Sequence, residues 1–142
     1  MTTLQASELG LLIEVGFWAL DERQFDDAEA LFARLSEVQR ENPYPRIGLA
    51  MLAYSGGNRD DAIDRLRGVL RDFPEAVFTR SLLARFMKEN GQAGWETYAR
   101  ETLERVQEGV AADTARVLLR DAGLGANESS GPNPGPLMSR RV

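Results

Sequence analysis

The sequence predicts an all-α fold, with three stacked helix-turn-helix units closed by a C-terminal capping helix. Two observations carry this. The first is an internal period of 34 residues: Gly16, Ala50 and Ala84 are so spaced, as are Leu35, Val69 and Leu103. Ala28 and Ala62, Phe32 and Leu66, and Gly57 and Gly91 repeat at the same interval, and Asp26-Asp27-Ala28-Glu29 returns as Asp60-Asp61-Ala62-Ile63. The second is that each period holds two apolar stripes at helical spacing, separated by turn residues. A unit of this length cannot bury its apolar face alone, so neighbours stack on one another. Stacking leaves a concave face suited to a peptide or helix of another protein. The chain therefore reads as a binder.

The elements follow in order. The first helix is placed at about Ser7 to Leu20, because Leu9, Leu12, Ile13, Gly16, Phe17 and Leu20 obey the i, i+3, i+4, i+7 rule. The second runs from about Phe25 to Arg40, with Ala28, Leu31, Phe32, Leu35 and Val38 inward. Asn42-Pro43-Tyr44-Pro45 stops it, since a residue before proline avoids the helical region and proline lacks the amide donor. The third, about Pro45 to Tyr54, is apolar on more than one face, as befits a helix between neighbours. Ser55-Gly56-Gly57-Asn58 ends it, and Asn58 caps the fourth helix, whose first turn gains from Asp60 and Asp61. That helix runs to about Asp72, and Phe73-Pro74 closes it. The fifth spans about Glu75 to Asn90 and the sixth about Gly94 to Gln107. In the sixth, Glu96 and Arg100 fall where Ala28 and Phe32 stand, and a one-residue shift restores a stripe through Trp95 and Ala99. The seventh, about Ala112 to Ala122, has the half-polar character of a cap. Residues 1–123 thus form the helical domain. Residues 124–142 are Gly-, Pro- and Ser-rich and read as a disordered tail, with Leu137-Met138 as its one apolar pair.

Composition excludes several classes. Hydrophobic residues make up 43% and charged residues 27%, an ordinary soluble balance. No apolar run reaches 18 residues, so no membrane span is expected. No basic segment followed by an apolar stretch opens the chain, so a cytoplasmic location is expected. Cys and His are absent, which removes thiol chemistry, imidazole bases and most zinc or haem sites. No catalytic group, metal or cofactor is expected. The net charge is −5, and 15 basic and 21 acidic residues precede Leu124. That balance repels a phosphate backbone, so nucleic acid is not an expected partner.

The spacing and the small residues resemble tetratricopeptide repeats (TPRs), over about residues 9–42, 43–76 and 77–110. In that family small residues sit where the helices of a unit cross; Gly16, Ala50 and Ala84 match one such position, and Ala28 and Ala62 another. Pro74 matches the proline that ends a unit, whereas Pro43 comes three residues late. The resemblance implies a right-handed α-solenoid whose first helices line the concave face. The groove positions would then be Ile13, Phe17 and Leu20; Tyr44, Ile47, Met51 and Tyr54; and Phe78, Ser81 and Arg85, with Lys88 beyond. Relatives that grip charged C-termini use a clamp of Lys, Asn and Arg. Here those sites hold Ile13, Phe17, Gly48, Phe78 and Leu82, so the clamp is missing. A mostly apolar groove suits the apolar face of an amphipathic helix. Met51 and Tyr54, an adaptable thioether and a ring with a polar tip, would each contribute roughly 1.5–3 kcal/mol when covered by a partner. The competing reading makes the same stripe ordinary core between repeats.

Weaker motifs resolve simply. Gly56-Gly57 lacks a following Lys and is a turn. Asp26-Asp27 and Asp60-Asp61 are first-turn acids, favoured by the helix dipole. Glu101, Glu104 and Glu108 with Arg100 and Arg105 read as a solvated face. Two branches of TPR-like type III secretion chaperones come into view, one guarding the needle subunit and the other the related accessory protein of plant-type systems; Gly94-Trp95-Glu96-Thr97-Tyr98-Ala99-Arg100-Glu101-Thr102-Leu103-Glu104 resembles the third-unit helix of the second, and Leu31-Phe32-Ala33-Arg34-Leu35 fits both loosely. That resemblance implies a chaperone that sequesters an apolar helix of a secreted subunit, with a small helical co-chaperone on the outside or a homodimer as further partners. The alternative is a bacterial TPR adaptor or homo-oligomerisation module.

Overall fold

The computed structural model describes residues 15–125, and every regular element among them is a helix. These are α1 (15–21), α2 (Phe25–Val38), α3 (Tyr44–Ser55), α4 (Arg59–Asp72), α5 (Val77–Glu89), α6 (Trp95–Arg105) and α7 (Val110–Asp121). The all-α expectation holds. Ile13, the start of the first helix and residues 126–142, Leu137-Met138 included, lie outside the described residues. The chain divides into two compact units, Met1–Thr79 and Arg80–Val142.

The repeat is visible in its turns. Arg23 N–H donates to the Leu20 carbonyl at 3.1 Å and Gln24 N–H to that of Ala19 at 2.8 Å. Gly57 and Asn58 reproduce both bonds on Tyr54 and Ala53, at 3.1 and 2.8 Å. Gly91 and Gln92 reproduce them again on Lys88 and Met87, at 3.1 and 2.8 Å. This paired pattern is the Schellman helix stop, which needs a left-handed residue after the helix. Gly57 and Gly91 supply it with φ of 92° and 69°. The same stop ends α7, where Gly123 (φ 77°) and Leu124 bond to Arg120 and Leu119. The alternate helices end differently. Gln39, Phe73 and Val106 each donate to the carbonyl four residues back. The last of these comes one residue early against the period of 34, which agrees with the predicted shift of α6.

In the first unit α3 packs against both α2 and α4. Phe32 is fully buried there, because Gly16 and Gly48 let two helix backbones approach its ring. A Cβ at Gly16 would stand 2.7 Å from the ring and one at Gly48 2.5 Å. Ala28, Ala50 and Ala62, small residues of the repeat, are also fully buried. Arg46 donates to Asp72 at 2.8 Å, tying the start of α3 to the end of α4.

In the second unit α6 packs on α7, and Trp95, Ala99 and Thr102 are the buried face of α6. The shifted stripe is therefore the one that is buried, while Arg100 is exposed. Glu101 departs from the predicted solvated face. It accepts from Arg80, a buried guanidinium on α5, at 3.0 Å, and so partners a charge held in the core.

Candidate functional site

On α1, Phe17 is half-buried and meets the Phe32 ring edge-on, with centroids 4.9 Å apart. Leu20 and Ile47 are closed off, at 6% and 0% exposure. On α3, Tyr44 remains 44% exposed and stacks on the half-buried Phe78, with centroids 6.2 Å apart. Met51 is half-buried and packs on the cluster of Ala19, Leu20, Ala28 and Phe32. Tyr54 is half-buried too, and the Arg59 guanidinium lies 4.9 Å from its ring centre. The apolar positions predicted for the groove in the first unit thus separate into a closed layer and an open one. Leu20 and Ile47 form the closed layer. Phe17, Tyr44, Met51, Tyr54 and Phe78 keep surface for contact.

The remaining predicted positions belong to the second unit. Ser81 is buried, and Arg85 is exposed and paired with Glu89 at 3.0 Å. Lys88 donates to the Leu118 carbonyl at 2.9 Å and lies 5.0 Å from the centre of the Trp95 ring. Its ammonium is a structural tie between α5, α6 and α7.

Met51 opens on a cleft of about 300 Å³ lined by Leu20, Asp21, Arg23, Phe25, Met51 and Ser55. The ends of α1 and α3 and the start of α2 meet there, with an apolar floor and a charged mouth. A second cleft of about 260 Å³ lies between α2, α3 and α4. Phe25, Leu49 and Leu52 are among its lining, with Asp26, Glu29 and the Asp61–Arg65 pair (2.8 Å). At the end of α4 the Asp72 carboxyl is held below its ordinary value chiefly by the Arg46 hydrogen bond. Among the described residues no group of His, Cys, Asp or Glu could hold a metal ion. No described helix is long and apolar enough to cross a membrane.

Two surface residues escaped the sequence reading. Val15 and Trp18 on α1 are 43% and 55% exposed, three residues apart on one helix face. The signal was present as two large apolar residues outside the inward stripe of that helix.

Comparison with known proteins agrees with this geometry. The family model described as tetratricopeptide repeat matches residues 19–86. No curated protein matches the chain. Among solved structures, the Yersinia enterocolitica type III secretion chaperone SycD, in complex with a peptide of the translocator YopD, is 14% identical with a TM-score of 0.63. The match covers 85% of this chain and 99% of that one. PcrH from Pseudomonas aeruginosa is 18% identical with a TM-score of 0.65, over 91% of this chain and 96% of its own. At these identities the likeness is one of fold.

Proposed function

We propose that this chain, a protein of tetratricopeptide-repeat fold, is a secretion chaperone that holds an apolar helix of a secreted subunit against the open side of α1 and α3. The observation that carries this reading is Met51. It is a half-buried methionine over a cleft of about 300 Å³, with Leu20 and Phe25 beneath the same opening. Methionine adapts its shape to different apolar guests. Tyr44 and Tyr54 extend the strip along α3 with rings that carry a polar tip. The solved relative SycD was captured with a translocator peptide, which supports a client of the same kind here. Binding requires no covalent step, and the reading assigns none.

The test uses the full chain as affinity bait in an extract of its source organism, beside a Met51→Glu bait, with retained proteins identified by mass spectrometry. A small helical secreted subunit held by the native bait and lost from the variant is the expected result. Equal retention on both baits, or recovery of the chain alone, would overturn the reading.

A further inference from the structure

Three turns of this protein share one hydrogen-bonded geometry, and each places its middle residue in the left-handed region. Gly57 and Gly91 occupy that position in the second and third repeats. Arg23 occupies it in the first, at φ 62°, the one non-glycine residue with positive φ among those described. An L side chain rarely adopts this conformation, and glycine adopts it freely. The turn itself therefore gains nothing from arginine. The Arg23 side chain is exposed, and no described residue forms an ion pair, hydrogen bond or ring contact with it. It stands at the mouth of the cleft floored by Leu20, Phe25 and Met51. Backbone strain beside an apolar cleft, at a cation with no partner among the described residues, points to recognition.

We infer that Arg23 is a binding residue that pairs with a carboxylate on the occupant of this cleft, an amphipathic helix whose apolar anchor is flanked by an acidic side chain. The inference rests on the groove reading above and adds a specificity to it. The guanidinium matches a carboxylate in charge and in its forked geometry. Asp21, at the same mouth, disfavours a second acid, so one carboxylate beside the anchor is the fit. A helix anchored only by apolar side chains would leave Arg23 without a partner at the edge of the contact.

The experiment is selection of a phage-displayed library of amphipathic helical 15-mers on the full chain and on the Arg23→Gly and Arg23→Gln variants, with melting temperatures recorded for all three. The native chain is expected to enrich an acidic residue beside an apolar anchor. Both variants should lose that preference while still enriching apolar anchors, with at least fivefold weaker binding of the selected acidic peptides. Arg23→Gly should melt at or above the native temperature, and Arg23→Gln should keep the native turn. Enrichment of apolar anchors with no acidic preference on the native chain would overturn this inference and leave the groove reading standing. So would an acidic preference that survives Arg23→Gln. A lowered melting temperature for Arg23→Gly would mean that the side chain holds the turn, which also overturns it. Failure to enrich any amphipathic peptide would overturn the groove reading, and this inference with it.

Discussion

Phe32 sets the tightest constraint in the first unit. Its ring leaves room for no side chain at Gly16 or Gly48, since a Cβ there would come within 2.7 and 2.5 Å. Gly48→Ala is expected to destabilise the fold by about 1–3 kcal/mol through overpacking, read by urea unfolding. Adding Phe32→Leu should recover part of that loss, because the two changes share one volume and do not add. Ala62, fully buried on α4, behaves alike: Ala62→Leu should cost about 1–3 kcal/mol, and a silent outcome would refute the repeat register. Met51 differs because one side of it is open. Met51→Glu should lose less than about 1 kcal/mol of stability, with the carboxylate leaving through the cleft. It should weaken client binding by more than about 1.4 kcal/mol, a factor of ten, measured by titration calorimetry. Gly16 was legible as a small residue of the 34-residue pattern, whereas Gly48 lies outside that pattern and only the position of the Phe32 ring explains it.

At the scale of the helices, the ends were more legible than the faces. Gly57, Gly91 and Pro74 marked turns because their backbone chemistry is local. Arg23 left no such mark, since an arginine in a left-handed turn cannot be read from residue type. The faces of α3 could not be sorted from sequence either. The helix is apolar nearly all round, so helical spacing does not separate the closed Ile47 from the open Met51. Contacts between helices, such as Arg80–Glu101, join residues 21 apart and follow no short-range pattern. The Arg46–Asp72 bond between α3 and α4 is of this kind and carries a pH dependence. Arg46 holds the folded Asp72 carboxyl below its ordinary 3.8, so the bond stabilises the protein above that pH and is lost as pH falls through the folded value. Asp72→Asn should therefore melt slightly below the native chain at pH 7. The gap should close in acid below pH 3.8, followed by circular dichroism. A gap that persists in acid would mean that the asparagine perturbs packing instead.

For the whole molecule, charge and apolar exposure act against each other. A net charge of −5 keeps copies apart at low ionic strength. Trp18 and Val15 on α1 offer an apolar patch that nothing described covers. An indole left half in water is a costly surface for a protein to carry alone, and a large aromatic contributes strongly when buried in a contact. The chaperone reading therefore expects the client-free chain to self-associate through this face, more strongly as salt screens the repulsion. Sedimentation velocity across a concentration series should show a rising mean mass that increases further at high salt. Trp18→Glu should return the chain to a monomer at every concentration, with its melting temperature nearly unchanged because the side chain is exposed. A chain that stays monodisperse at all concentrations and salts, with the variant indistinguishable from it, would favour a TPR adaptor that needs no polymerising client. Self-association that survives Trp18→Glu would place the contact elsewhere, and Tyr44, the other exposed aromatic of the first unit, would be the next residue to change.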